Sequence, residues 1–508
     1  MRIEKAKNVA RGTFYGILLK LVQILFPFII RTMFIQTLGA EYLGLNSLFT
    51  AIFQVLNLAE LGVSSALVFS MYRPIVDDNK EKICQLLNLY RRYYSFIGIA
   101  ILAIGLILIP GLPSLIKGTV PEGINLYIIY VMNLIATVLS YWLFAYRSSL
   151  FIAHQRNDVV SIISMIVNIC MYCAQAVSLL VFQDYYIYLS ISILGQILIN
   201  IFSAIMSKIY FPDYVPKGRL PAVERKEVGI KIRDLFTAKI GTVINNSVDA
   251  IVISSFIGLE ILTAYQNYYY IISSIMAMFA IFFNVCIAGI GNSLIVDNNI
   301  QNQKLLYNIN HIVFLAITFC CSCFVSACQS FINLWVGEEY VLDTTFVLLL
   351  AIYLIAEEAP RTLVVFKDAG GIWRHDRFRP LITACTNLCL NIILTQFIGL
   401  YGIIISTIVA LLFVAYPWLI YNINKRLFPI NVKKYILRLL LYLIVIGLSC
   451  WFAYFISSLV VINSMVLSIL TKIIISGFIS ISLFLIVFYR SDETKFFFER
   501  IKLIIAKK

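Results

Sequence analysis

Charge is the scarcest commodity in this chain. Only 13% of its residues are Asp, Glu, Lys or Arg, against about 25% in an ordinary soluble domain. With 61% hydrophobic residues and a mean hydropathy of +0.90, it has too much apolar surface for a string of water-soluble domains. Histidine is nearly absent: His154, His311 and His375 are the 3 in 508 residues. They are scattered and form no HExxH. The cysteine cluster FCCSCF (319–324) points its thiols to different faces of a helix, away from His311, so no metal centre is indicated. No Walker A ending in GK[ST] occurs, which excludes a built-in nucleotide-hydrolysing engine, and no GxSxG stands with partners. No extramembrane loop is long enough for a catalytic domain. A glycan polymerase or transferase is therefore disfavoured, and transport without chemistry and without a resident cofactor is expected.

What the chain does have is long apolar runs of about 20 residues or more, without the short alternating segments of a barrel. The fold class expected is an all-α polytopic membrane protein with about fourteen spans. The second is read at 42–70, the fourth at 124–146, the seventh at 234–257 and the tenth at 342–366. No small-residue cleavage site follows the first apolar run, which is expected to remain as a span. Basic residues set the orientation. Of the 40 Lys and Arg, only Lys117 falls in the loops opposite the N-terminus, and Lys20, Arg31, Lys239, Arg361 and Lys472 fall within spans. The rest lie in both tails and the even-numbered loops, which are therefore assigned to the cytoplasm. The net charge of +14 then faces anionic membrane lipids rather than nucleic acid. A bacterial cytoplasmic membrane location, with both termini inside, follows.

Aligning Lys20 with Lys239 puts Gln23 on Thr242, and LGAE (38–41) on IGLE (257–260). Both copies start on the same side, so two parallel pseudo-repeated six-helix halves are expected. The division reads 1–207 for the first half, 208–233 for a cytoplasmic linker and 234–423 for the second half. An appended helix pair follows at 424–490, then a basic amphipathic tail at 491–508 that can lie on the membrane surface.

Polar residues within the spans fall on single faces. In the first span Lys20, Gln23, Pro27 and Arg31 recur at helical spacing, and in the seventh Lys239, Thr242, Asn246 and Asp249 do the same. The second span carries Asn46, Thr50, Gln54, Asn57 and Glu60 along one stripe. The tenth carries Glu357, Glu358 and Arg361 around Pro360. A charge at mid-bilayer costs about 2.5–3.5 kcal/mol on insertion scales, so such groups face a cavity or a partner. Two roles stay open for the cations: snorkelling to an interface, or lining a wet passage suited to an anionic cargo. The tenth-span cluster can also pair within itself. Asn168, Gln175, Gln196, Asn200, Asn387 and Asn391 fit interhelical hydrogen bonding. Tyr141, Trp142 and Tyr146 are candidates for stacking on a sugar.

RTMFIQTLGAEYLGLNSLF (31–49), AELG (59–62) and MYRP (71–74) resemble the start of bacterial oligosaccharide flippases. These belong to the multidrug/oligosaccharidyl-lipid/polysaccharide exporter superfamily. The resemblance implies two pseudosymmetric halves. It also implies a cargo of undecaprenyl-diphosphate-linked oligosaccharide moved from the inner to the outer leaflet, with glycan polymerase machinery as a partner. It assigns the diphosphate to Lys20, Arg31 and Lys239. Asn46, Gln54 and Asn57 join them as candidate substrate contacts. For an ion coupled to transport, H⁺ or Na⁺, the candidates it implies are Glu60, Asp249 and Glu357. A drug or metabolite exporter of the same superfamily is the alternative.

Overall fold

A computed structural model gives the architecture. It describes residues 5–506 apart from Leu61, Thr119, Glu122 and Val461, and leaves undescribed the side chains of residues 5–10, 59, 238, 246, 288 and 500–506. Asn246, singled out above, thus has its side chain outside the described residues, as do the last residues of the tail. Every regular element among the described residues is helical. Helices satisfy their own backbone groups, which a lipid environment demands. Loops are short, and their polar residues set where helices begin. Asn79, Asn125, Asp184, Asp343 and Asn431 each accept a hydrogen bond from a backbone N–H in the first turn that follows. Asn298 and Gln301 form a reciprocal capping box.

Among the described residues, 10 helices are long and apolar enough to cross a membrane, or 11 if a pair bent by 43°, Leu126–Trp142 with Ala145–Ala153, counts as one span. Several of the expected spans are not single long helices, and the difference has local causes. The expected second span is broken into α2 (Ala40–Leu56), a 3-10 turn at Asn57–Glu60 and α3 (Val63–Val76). Gly62 sits between them at φ 86°, a left-handed conformation that glycine adopts at little cost. The tenth is broken at Pro360. The seventh joins a long helix, Ala222–Phe256, that runs back into the basic stretch read as linker.

By packing, the chain divides into two compact units after Thr263. In the first, α1 (Lys5–Thr37) runs along α7 (Asn157–Val181), which lies beside α8 (Tyr185–Tyr210). α4 (Lys80–Leu108) pairs with α5 (Leu126–Trp142), and the short α6 (Ser148–Ala153) meets α3. α9 (Ala222–Phe256) packs on both α2 and α3. α10 (Leu259–Val296) starts in this unit. There Gly44 of α2 faces the Leu259 carbonyl so closely that a Cβ at this position would collide with it.

In the second unit α11 (Asn299–Val336) is central. It touches α12 (Thr344–Glu358), α13 (Arg361–Ala369), α18 (Val432–Ser458), α19 (Met465–Phe488) and the tail helix α20 (Asp492–Ala506). After the short α14 (Trp373–Asp376), α15 (Arg379–Ile398) packs on α16 (Leu400–Val409), and α17 (Tyr416–Arg426) meets α13 and α14. The appended pair α18 and α19 is tied to α11 by polar bonds. Lys472 donates to Ser330 at 2.7 Å. His311 lies 2.9 Å from both the Tyr442 and Thr494 hydroxyls.

Candidate functional site

The stripe on α2 ends in a polar cluster. Glu60, at the break between α2 and α3, accepts hydrogen bonds from the Tyr94 hydroxyl at 2.5 Å and the Tyr141 hydroxyl at 3.2 Å. The Tyr94 oxygen in turn lies 3.1 Å from that of Tyr90. Tyr141 is also 2.9 Å from the Asn57 Oδ1, and its single proton serves one of the two acceptors at a time. Two phenols, from α4 and α5, thus hold one carboxylate, and a third, Tyr90, backs Tyr94. Hydrogen bonds to a charged group contribute about 1.5–3 kcal/mol each, and a chain of them polarises cooperatively.

The rest of the stripe is partly engaged by neighbouring helices. Asn46 accepts from Tyr185 of α8 at 3.2 Å. Gln54, itself exposed, accepts from Ser247 of α9 at 3.1 Å. Thr50 returns to the Asn46 carbonyl of its own helix. Lys239 of α9 is exposed and donates to Ser65 of α3 at 3.1 Å. So α9 meets both pieces of the expected second span, α2 at Gln54 and α3 through Lys239, two of the positions singled out from sequence. Lys20 is exposed on α1, Arg31 is half-buried near Tyr188, and Asp249 is half-buried on α9.

In the second unit Arg361 lies 3.6 Å from Glu357 and 3.3 Å from Glu358. The Glu358 side chain is fully buried and its second oxygen has no hydrogen-bond partner. The three residues therefore form the local knot that their spacing permits. Among the amides read as interhelical glue, Gln175 bonds Ser192 at 2.6 Å and Asn200 bonds the Ser140 carbonyl at 2.9 Å. Asn387 and Asn391 both receive the Ser406 hydroxyl.

Two ion clusters were not legible in the sequence. Asp158, at the start of α7, is held by Arg156 and by Arg11 of α1, each at 3.0 Å. Asp376 is held by Lys367 at 3.1 Å and Arg379 at 2.9 Å, with Asn422 at 3.3 Å. Arg156 and Arg379 are near neighbours in sequence, but Arg11 and Lys367 arrive from other helices, which one-dimensional charge counts do not pair. The same holds for Tyr94 and Glu60: each is ordinary in its own helix.

The geometry explains much of the motif noted at the start of the chain. In YLGLN, Gly44 permits the approach to Leu259 and Asn46 takes the Tyr185 bond. In ELG, Glu60 anchors the phenols and Gly62 supplies the left-handed turn. Comparison with known proteins agrees. A profile described as polysaccharide biosynthesis protein matches residues 9–287. No curated protein sequence matches the chain. Among solved structures, the lipid II flippase MurJ in an inward closed conformation is 15% identical, with 94% of this chain and 98% of that one covered and a TM-score of 0.63. An inward-facing multidrug resistance MATE family transporter of the MOP superfamily is 12% identical, covers 80% and 97%, and has a TM-score of 0.63. A MATE transporter from Vibrio cholerae is 15% identical, covers 83% and 97%, and has a TM-score of 0.55. These likenesses give the fold, that of transporters and a flippase. The profile spans more than half of the sequence, and the chain belongs to the polysaccharide biosynthesis protein family.

Proposed function

We propose that the protein is a flippase. It carries undecaprenyl-diphosphate-linked oligosaccharide from the inner to the outer leaflet of a bacterial cytoplasmic membrane, by alternating access, with both termini in the cytoplasm. The observation that carries this reading is the pairing of a polysaccharide biosynthesis family match with the fold of a lipid II flippase. Lys20, Arg31 and Lys239 are the cations that meet the diphosphate, since a guanidinium or ammonium is the natural partner of phosphoryl oxygens. Asn46, Gln54 and Asn57 line the path. Coupling to H⁺ or Na⁺ involves Glu60, Asp249 and Glu357, with Glu358 and Arg361 beside the last. The protein works with glycan polymerase machinery and sits among anionic lipids.

A second reading, an ion-coupled exporter of drugs or metabolites, draws on the likeness to MATE transporters. One deletion strain separates them. Loss of surface polysaccharide with accumulation of its lipid-linked precursor supports the flippase. Altered drug tolerance with normal surface glycan supports the exporter. For the residues, replacing both Lys20 and Lys239 with Gln should abolish flipping while the protein still inserts. Normal surface glycan in that double variant would sink the assignment of these two lysines.

A further inference from the structure

The bent span has no ordinary cause for its bend. Sharp kinks usually sit at Pro or at Gly, and residues 126–153 contain neither. The chain nevertheless leaves helical geometry at Leu143 and places Phe144 at φ 60°. A bulky aromatic residue in left-handed space is strained, and such strain persists only where the surroundings impose it. Broken helices at membrane depth are tolerated where they line a cavity.

A cavity is there. It measures about 350 Å³ and is lined by Arg91, Ser95, Tyr141, Trp142, Phe144 and Tyr146. Its walls are fixed. The Trp142 indole N–H donates to the Ser95 carbonyl at 3.3 Å, and Tyr141 is held by Asn57 and Glu60. Arg91 is exposed at this cavity, with no carboxylate partner among the described residues.

Behind Tyr146 in the chain is a second unusual cation. Arg147 is only 7% exposed, and its guanidinium lies 5.9 Å from the centroid of the Tyr146 ring. Its Nε is buried without a hydrogen-bond partner, and it too has no carboxylate partner among the described residues. Buried charges are normally paired. Arg147 does not line the cavity and lies behind its Tyr146 wall, so the group that an anion can reach is the Arg91 guanidinium, which phosphate fits well. Arg91 lies just where the basic start of α4 gives way to its apolar run, at the end of the helix that loop charge assigns to the cytoplasm. Aromatic and basic side chains gather at that level beside lipid phosphates.

We propose that the bend between α5 and α6, with Arg91 of α4, is a binding site for the phosphoryl head group of a membrane lipid. Arg91 contacts the phosphoryl oxygens. Arg147 supplies buried positive charge through the wall, and the rings of Trp142, Phe144 and Tyr146 pack on the lipid below its head group. A resident phospholipid and a lipid diphosphate present the same phosphoryl group, and the occupant proposed here is the resident phospholipid.

The test uses the full-length protein purified in detergent, with lipid binding followed by native mass spectrometry. The probes are phosphatidylglycerol, diacylglycerol with the same chains, and water-soluble glycerol phosphate. Phosphatidylglycerol should bind more tightly than diacylglycerol. Arg91→Gln, an exposed position where folding is not at stake, should weaken phosphatidylglycerol binding roughly tenfold, the loss of one charge-assisted bond. Arg147→Gln should weaken it as well, while Lys433→Gln, an exposed cation of the second unit, should not. Equal binding of phosphatidylglycerol and diacylglycerol would overturn the proposal, as would wild-type affinity in Arg91→Gln. Displacement of the lipid by glycerol phosphate at equal concentration would overturn the assignment to a membrane lipid. Surface glycan measured in the same variants keeps this outcome separate from that of the flippase reading.

Discussion

Asp158 tests what holds α1 onto α7. Its side chain is 1% exposed, with Arg11 and Arg156 each at 3.0 Å, and a second contact from Arg156 at 3.3 Å. Arg156 is further fixed over the Tyr210 ring at 5.1 Å. In Asp158→Ala, two guanidinium groups are left facing each other without their anion. Breaking a fully buried pair in this way costs about 3–5 kcal/mol. Here Arg11 is 46% exposed and Arg156 24%. Both can rehydrate, and screening lowers the expected loss to about 2–3 kcal/mol. Asp158→Asn keeps the shape and one acceptor, so about half of that loss is expected. The protein contains its own control. Lys80 and Asp213 are closer, at 2.7 Å, but their side chains are 54% and 63% exposed. Lys80→Ala should leave unfolding unchanged, because exposed pairs gain little over hydration. SDS titration of the purified protein, followed by circular dichroism, ranks the variants. If Lys80→Ala destabilises more than Asp158→Ala, then distance rather than burial sets the strength of these bridges, and the reasoning fails.

Three further outcomes are expected. Gly44→Ala forces a Cβ against the Leu259 carbonyl, and overpacking of this kind costs about 1–3 kcal/mol; unfolding at the wild-type midpoint would contradict the close approach. Tyr94→Phe removes the 2.5 Å donor to Glu60 and should cost about 1.5–3 kcal/mol, whereas Glu60→Gln keeps an acceptor for Tyr94 and should cost less; the opposite order in the same titration would count against the cluster. The Glu493 carboxyl is partly buried, which opposes ionisation, but the bond from Arg438 outweighs this and holds it below the usual range. A carboxyl depressed in the folded state stabilises above its unfolded pKa of about 4.3, and that stabilisation is lost as pH falls through the folded pKa. Protease protection of the tail helix should therefore be flat from neutral pH down to about 5 and decline below about 4. A decline already complete near neutral pH would show that another group holds the tail.

The sequence made the class of the molecule plain, because apolar run length and loop charge are local properties that need no partner. It allowed Arg361 to pair with Glu357 and Glu358, as one of two readings, for the same reason: i to i+3 and i+4 neighbours meet on any helix. Where helices break was harder. Pro360 announced one break, but Gly62 needed its φ to be known, and Phe144 carries no breaking signal at all. Least legible was which polar residues satisfy one another. The stripe of Asn46, Gln54, Asn57 and Glu60 said that something other than lipid faces it. That Tyr185, Ser247, Tyr141 and Tyr94 are what faces it depends on helix packing across long sequence separations.

The two ion clusters solve one problem with different partners. Each aspartate is almost fully buried and gripped by two cations, Asp158 in the first turn of α7 and Asp376 at the end of α14, just before α15. Such a carboxylate must be compensated by nearby cations, because breaking a fully buried pair costs about 3–5 kcal/mol. The cations differ in origin. Arg11 arrives from α1, whereas Lys367 arrives from the end of α13. What the two sites share is therefore a buried anion beside a helix start, with the partners recruited separately.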